Sequence, residues 1–442
     1  MMNVNTSKFG ILGMARSGLA AANKIKVLGG EVFISEFKSE SKIDNAEEIK
    51  QNFSCEFGGH SEKLLESDVI ILSPGIPKNI PILQEAKNNN IEIISEIEFG
   101  FRIKHPNSKI IAVTGSNGKS TTVSLINHIL QTAGYNSILA GNIGIAFTSY
   151  PIEKPGIDFI VLELSSFQLE LIDTFKPDVA AILNITPDHL NRYKDMGEYA
   201  ETKFNIFQNQ TSCDTAVLNR DDGYTQKYSF DIKSNIKYFS LSGDSDIKIK
   251  ESNLEFEDKI ISIDTATIKG PHNIANIMAA FLAVEQFKIP KEKLEEAIIT
   301  FTPLPHRLEF VKSLNGIEFY NDSKATNTDS VKYALRSFPE PIRIIMGGAG
   351  KGEDYSVLNS ILKKYAKKVY LVGDSRFEMA KAFADIVNTE IHETYEAVIS
   401  SAFSDSEPGD VIVLSPACTS YDMFNNFEER GERFKQIVRT LK

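Results

Sequence analysis

Residues 114–121 read Thr-Gly-Ser-Asn-Gly-Lys-Ser-Thr, and those types in that order suit one task. A turn rich in glycine can aim its backbone N–H groups at a cluster of phosphate oxygens. Lys119 can reach the terminal phosphates of a nucleoside triphosphate, and the Ser120 hydroxyl can hold a magnesium ion. Gly115, Ser116, Asn117, Gly118 and Thr121 complete the cradle. The full phosphate-loop pattern places Gly or Ala five residues before Gly118; this chain has Val113 there, so the loop is a shortened variant. A Gly-Lys-Ser triplet alone could equally be a surface turn. Here an apolar run, 110–113, precedes it and a helical pattern, 123–130, follows. Strand, turn and helix together favour ATP or GTP.

Further candidates follow other apolar runs. Glu163 ends the run 159–162, where a carboxylate can coordinate magnesium beside phosphates or merely cap a helix. His189, beside Asp188 after the run 181–183, can ligate a second metal through a neutral imidazole or serve a structural role. Asn273 and Asn276 lie three apart at the start of a helical pattern and share a face. Their amides can pair with an adenine edge, or Asn273 can simply cap the helix. Arg307 and Lys324 are cations able to meet a transferring phosphoryl group, and Asp322 can accept from ribose hydroxyls; surface ion pairing is the alternative for these three.

These residues need elements to hold them. Short Val/Ile-rich runs alternate with helical periodicity throughout, which predicts an α/β chain of parallel sheets covered by helices. A length of 442 residues predicts about three domains. The first, 1–98, opens with a strand, a glycine turn (Gly13 to Gly18) and a helix, and reads as Rossmann-like. The spacing G-x-x-G-x-x-x-x-G is not the dinucleotide fingerprint, so holding a UDP pyrophosphate is favoured over binding NAD. Ser73, in the rigid loop 73–77 after the strand 68–72, lies where ligands bind in open α/β sheets. The second, 99–303, carries the phosphate loop on a parallel sheet and is P-loop ATPase-like. Its polar stretch 231–259 reads as a peripheral strand or hairpin region. The third, 304–442, is a second Rossmann-like domain with strands at 317–320, 342–346, 369–372 and 411–414.

Composition narrows the class. The formal net charge is -11 with no basic block, which argues against a nucleic-acid partner. The three cysteines, Cys55, Cys213 and Cys418, are widely spaced, so neither a disulfide framework nor a zinc site is expected. No signal peptide or apolar run of ~18 residues is visible. The expectation is a cytoplasmic protein with no membrane insertion.

Taken in order, the segments 73–75, 114–121, 141–144, 163–169, 184–193, 272–273, 306–307, 321–327 and 414–418 resemble the Mur ligase family over nearly the whole chain. The segments 347–352, 414–424 and 426–431 resemble its D-glutamate-adding branch, and the Asp-Asn-Pro-Arg segment of the diamino-acid-adding relative is absent. The resemblance implies an ATP-dependent ligase that joins D-glutamate to UDP-N-acetylmuramoyl-L-alanine during peptidoglycan precursor synthesis, acting as a monomer. It implies that Ser73 and the 13–18 turn bind the UDP-sugar, with Asn142 and His189 toward its peptide end. Arg16 and Ser17 stand in that turn where some relatives carry apolar or Thr residues. The ATP phosphates would be held by Gly118, Lys119 and Ser120, and the adenosine and phosphate parts by Asn273, Asn276, Arg307 and Asp322. Two magnesium ions are implied, one on Glu163 with Ser120 or a water, the other on His189 and bridged by a carbamylated Lys203. Lys351, Thr326, Ser420 and Phe427 would form the D-glutamate pocket, and Lys324 would act on the transferring phosphoryl group.

Lys203 by itself reads as an ordinary helical lysine. With a pKa of ~10.4 its amine is almost wholly protonated at neutral pH, whereas only the neutral form takes up carbon dioxide. Modification would need a lowered pKa or capture of the carbamate by a metal. Two other readings remain at this point: a ligase for a different amino acid, and a nucleotide-gated binding protein without ligation.

Overall fold

The computed structural model describes every residue except 1, 44, 189–191, 269 and 303. Its contacts divide the chain into two compact units. The first comprises Met1–Ile185, Gly197–Ala266 and Asn273–Phe301; the second comprises Thr186–Met196, Thr267–His272 and Thr302–Lys442.

The first unit holds two parallel sheets. Strands β1 (Lys8–Leu12), β2 (Glu31–Glu36), β3 (Ser54–Phe57), β4 (Val69–Leu72) and β5 (Glu92–Ser95) align in the order β3-β2-β1-β4-β5. The order reverses between β1 and β4, which opens a crevice at their C-terminal ends. The glycine turn follows β1 and Ser73 follows β4, so this topology brings them to one place.

The central sheet contains β6 (Lys109–Thr114), β7 (Ser137–Gly141), β8 (Phe159–Glu163), β9 (Val179–Ile182), β10 (Thr215–Asn219) and β11 (Asn235–Phe239), ordered β11-β10-β9-β6-β8-β7. Its inner strands are apolar almost end to end: residues 110–113, 160–162 and 179–182 are fully buried. A sheet covered by helices on both faces demands such continuous runs rather than alternation. The stretch 231–259 divides in two. Its first part is β11, an edge strand parallel to β10; the remainder enters a separate antiparallel sheet of β12 (Lys248–Lys250), β13 (Asn253–Phe256) and β14 (Lys259–Ser262).

In the second unit, β15 (Glu309–Leu314), β16 (Ile317–Asn321), β17 (Ile342–Met346), β18 (Ala366–Leu371), β19 (Thr389–Ile391) and β20 (Val411–Leu414) order as β15-β16-β20-β17-β18-β19. All neighbours are parallel except the hairpin of β15 with β16. One face packs on Leu335, Leu358 and Phe383, the other on Val398, Ile399 and Phe434. No helix among the described residues is long and apolar enough to cross a membrane.

Candidate active site

The phosphate loop leaves β6 and enters the helix Lys119–Thr132. Gly118 precedes that helix at φ +84°, a left-handed conformation, and a Cβ there would collide with the Asn276 amide oxygen. Glycine is required twice over at this position, by backbone angle and by close approach. Asn184, which follows β9, fastens the loop: its backbone carbonyl accepts from Ser116 N (2.9 Å), its Oδ1 accepts from Asn117 N (2.8 Å) and its Nδ2 donates to Asn117 O (3.0 Å). The Lys119 ammonium lies across the turn and donates to the carbonyls of Gly115 (2.7 Å) and Ser116 (2.8 Å). Ser120 and Thr121 are buried in the first turn of the helix. A helix N-terminus, a glycine cradle that no side chain could fill and an ammonium held at the loop together fit a nucleotide's phosphate groups.

Glu163 pairs in register with Val113, one residue short of the loop, and is 2% exposed. Its Oε1 accepts from Asn142 Nδ2 at 2.8 Å, so the residues read as metal ligand and as acceptor-substrate contact are neighbours. Lys203, on the helix Met196–Phe204, is far from an ordinary surface lysine: it is 1% exposed and donates to the Gly115 carbonyl at 3.1 Å. Its ammonium stands 4.6 Å from the Tyr199 ring centre, and the Tyr199 hydroxyl is 3.2 Å from Ser116 Oγ. Lys203, Ser116 and Tyr199 thus form one buried cluster at the loop, with the half-buried Lys119 beside them. Burying a cation is costly, and the Gly115 carbonyl and the Tyr199 ring face are among the groups that compensate it here. No group of three or more His, Cys, Asp or Glu side chains able to hold a metal occurs among the described residues, and His189 lies outside them. The hydroxyl of Ser120 and the carboxylate of Glu163 are hard oxygen donors of the kind magnesium takes.

Asn273 and Asn276 share a face of the helix Pro271–Val284, as their spacing requires, and Asn276 Nδ2 donates to Asn273 Oδ1 at 3.2 Å. Asn276 also lies against Gly118.

At the end of the first sheet, Ser73 Oγ donates to the Gly13 carbonyl at 3.3 Å. Glu36, the acid closing β2, accepts from Met14 N in the turn at 2.8 Å through Oε2 and from Lys38 N at 3.0 Å through Oε1. Arg16 reaches the loop after β7 and donates from Nη1 to the Gly144 carbonyl at 2.6 Å; Ser17 is half-buried beside it. These bonds link the turn to the segment carrying Asn142.

In the second unit, Asp322 is buried and accepts from Ser415 Oγ (2.9 Å) and Leu308 N (3.3 Å). Burial pushes its pKa up to about 7 against the opposing pull of Arg307. His272 is driven the other way, down to about 4, by burial and then by Arg307, and so stays neutral; its ring centre lies 5.2 Å from that of Tyr333. The Lys324 ammonium stands 5.1 Å from the centre of the Phe427 ring. Lys351 forms an ion pair with Asp188 at 3.0 Å. Thr326 lies just before the helix Thr328–Arg336, and Ser420 is buried after β20. Arg430, 1% exposed, gathers these loops: it donates to Ser323 Oγ (3.0 Å), to the Ser323 carbonyl (2.7 Å) and to the carbonyls of Cys418 and Thr419 (both 3.1 Å).

Asn184 and Arg430 lie in the segments 184–193 and 426–431 that carry the resemblance, but nothing in the sequence announces that their side chains hold functional loops. Asn184 bonds to the loop 67 residues before it, and Arg430 ties Ser323, 107 residues away, to the nearer Cys418 and Thr419, so the fold supplies the long-range partners.

Residues 7–95 match the family described as Mur ligase MurD-like, N-terminal domain, residues 113–284 the Mur ligase middle domain, and residues 306–418 the Mur ligase, glutamate ligase domain. A relative named UDP-N-acetylmuramoylalanine–D-glutamate ligase in Cytophaga hutchinsonii is 41% identical over 98% of this chain and 99% of its own. A relative of the same name in Salinibacter ruber is 37% identical over 99% of both chains. Among solved structures, a MurF ligase from Thermotoga maritima in complex with ADP superposes with a TM-score of 0.64 at 17% identity, covering 99% of both chains. A pseudomurein peptide ligase type C from Methanothermus fervidus gives 0.63 at 19% identity, covering 99% of this chain and 100% of that one. The structural likenesses speak to the fold, and the sequence relatives carry the assignment further. A likeness that runs from end to end at such identity has one meaning: this chain belongs to the Mur ligase family.

Proposed function

We propose that the chain joins D-glutamate to UDP-N-acetylmuramoyl-L-alanine through an amide bond, at the expense of ATP. The observation that carries this reading is whole-length identity to relatives named for that reaction. The phosphate loop with its buried neighbours supplies the chemistry such a reaction needs.

A free carboxylate resists amide formation because oxide is a poor leaving group. The carboxylate of the L-alanyl acceptor therefore takes the γ-phosphoryl group of ATP, giving an acyl phosphate and ADP. The amine of D-glutamate then attacks the acyl carbon, and phosphate leaves from the tetrahedral intermediate. The protein mainly positions the reactants and neutralises charge. In this reading Gly115 to Thr121 bind the phosphates, and Lys119, Arg307 and Lys324 offset their charge. Asn273, Asn276 and Asp322 bind the adenosine. Ser73, Arg16, Ser17 and Asn142 receive the UDP-sugar peptide. Thr326, Lys351, Ser420 and Phe427 receive the amino acid. Two magnesium ions, held by Ser120, Glu163, His189 and a carbamylated Lys203, would supply further charge neutralisation. We also assign domain boundaries at 98/99 and 303/304, a monomeric state and a cytoplasmic location.

The test is ADP release by the purified chain with UDP-N-acetylmuramoyl-L-alanine and a panel of amino acids. D-glutamate should give both ADP and a new amide. Release with a different amino acid alone would transfer the reading to another ligase, and ATP binding without turnover on any member would remove ligation altogether.

A further inference from the structure

The glycine-rich loop 347–352 is fixed unevenly. Its first half is pressed against backbone: a Cβ at Gly348 would collide with the Thr419 carbonyl, and Ala349 exchanges hydrogen bonds with Thr419 (3.0 and 3.1 Å). At Gly352 a Cβ would meet nothing within 4 Å. The second half, which bears Lys351, therefore depends on side chains for its position. One is the Lys351 ion pair with Asp188. The other is Glu353, whose Oε2 accepts from Thr328 N at 3.0 Å, at the first residue of the helix Thr328–Arg336. Glu353 is two residues beyond Lys351, and Thr328 is two residues beyond Thr326. The bond from Thr328 N to Glu353 thus spans the two loops assigned to the incoming amino acid. The other carboxyl oxygen, Oε1, is buried and has no hydrogen-bond partner among the described residues. Glu353 lies close enough to Lys351 and Asp188 for their charges to act on it in opposite senses, and burial pushes its pKa up to about 7. A carboxyl that buries one oxygen without a hydrogen-bond partner is costly to keep, so its link to Thr328 has to be worth keeping.

We propose that Glu353 is a positioning residue for amino-acid capture. Its bond to Thr328 N sets the separation of Thr326 and Lys351, and with it the length of amino diacid that the pocket accepts. This rests on the reading of 326, 351 and 420 as the amino-acid pocket.

The experiment uses the full-length chain and the variants Glu353→Ala and Glu353→Gln. Steady-state ADP release is measured with D-glutamate and with D-aspartate, and amide hydrogen exchange is followed at Thr328. Gln retains an acceptor oxygen for Thr328 N. Glu353→Gln should therefore keep KM for D-glutamate within about threefold of wild type and keep the amide protected. Glu353→Ala should raise that KM about tenfold with kcat and KM for ATP unchanged, reduce the preference for D-glutamate over D-aspartate, and speed exchange at Thr328. Wild-type KM and wild-type exchange in Glu353→Ala would overturn the proposal, as would equal impairment of both variants. If the wild-type chain releases no ADP with D-glutamate, the functional reading fails by itself, and the exchange arm alone decides whether Glu353 ties the two loops.

Discussion

The phosphate loop and the amino-acid pocket are built on opposite plans. The loop is one contiguous segment of backbone, fastened by Asn184 and with Asn276 pressed against Gly118. The pocket is gathered from segments near residues 326, 351, 420 and 427, and its cohesion comes from side chains that reach between them, above all Arg430 and Glu353. A contiguous backbone site separates chemistry from folding: a functional side chain can be lost while the scaffold remains. A gathered site joins the two, because the groups that shape it are also buried structural bonds.

The contrast is tested most severely at Lys119. Lys119→Ala should cut ADP release by about a thousandfold while the melting temperature stays near that of wild type, since Asn184 still fastens the turn once the Lys119 bonds to the Gly115 and Ser116 carbonyls are lost. Retained turnover would remove the phosphate-loop assignment, and unfolding would erase the contrast. Lys203→Ala should lower turnover by about a hundredfold, with partial recovery on adding short carboxylic acids; full activity would take the carbamate out of the scheme. At Arg430 the order of effects reverses. Arg430→Lys cannot reproduce the planar fork that serves four acceptors, so urea unfolding should show a loss of about 3 kcal/mol, with KM for D-glutamate rising alongside. Unchanged stability would mean that the pocket is held by other means.

The smallest effect concerns acid. His272 is held neutral, with its pKa lowered from 6.5 to about 4, so its contribution to stability is complete above pH 6.5 and is lost as pH falls toward 4. Between pH 7 and pH 5 the wild type should lose about 1–2 kcal/mol through this group, and His272→Gln should lack that component. Parallel stability–pH curves for the two proteins would show that burial does not hold the imidazole neutral.

Sequence alone made the contiguous plan legible. Thr114 to Thr121 lie side by side, their flanking strand and helix form where the pattern requires, and Glu163 ends its strand as expected. Lys203 was opaque because burial is a tertiary property: nothing in its helix announces that it faces Gly115 rather than solvent. The stretch 231–259 divided between two sheets for a similar reason, since a polar edge strand carries little signal of which partner it joins. Arg430 and Glu353 reach partners 107 and 25 residues away, distances that only the folded chain closes. His189 falls outside the described residues.

Asn184 carries one last lesson. Its side-chain amide presents a donor and an acceptor to the backbone of Asn117, as though it were one more peptide unit lying alongside. Aspartate would turn a second lone pair toward a carbonyl, leucine would abandon both groups, and serine is too short to face both at once. A position that shapes the loop through its side-chain amide is therefore as narrowly constrained as the lysine within it, because it imitates the main chain rather than decorating it.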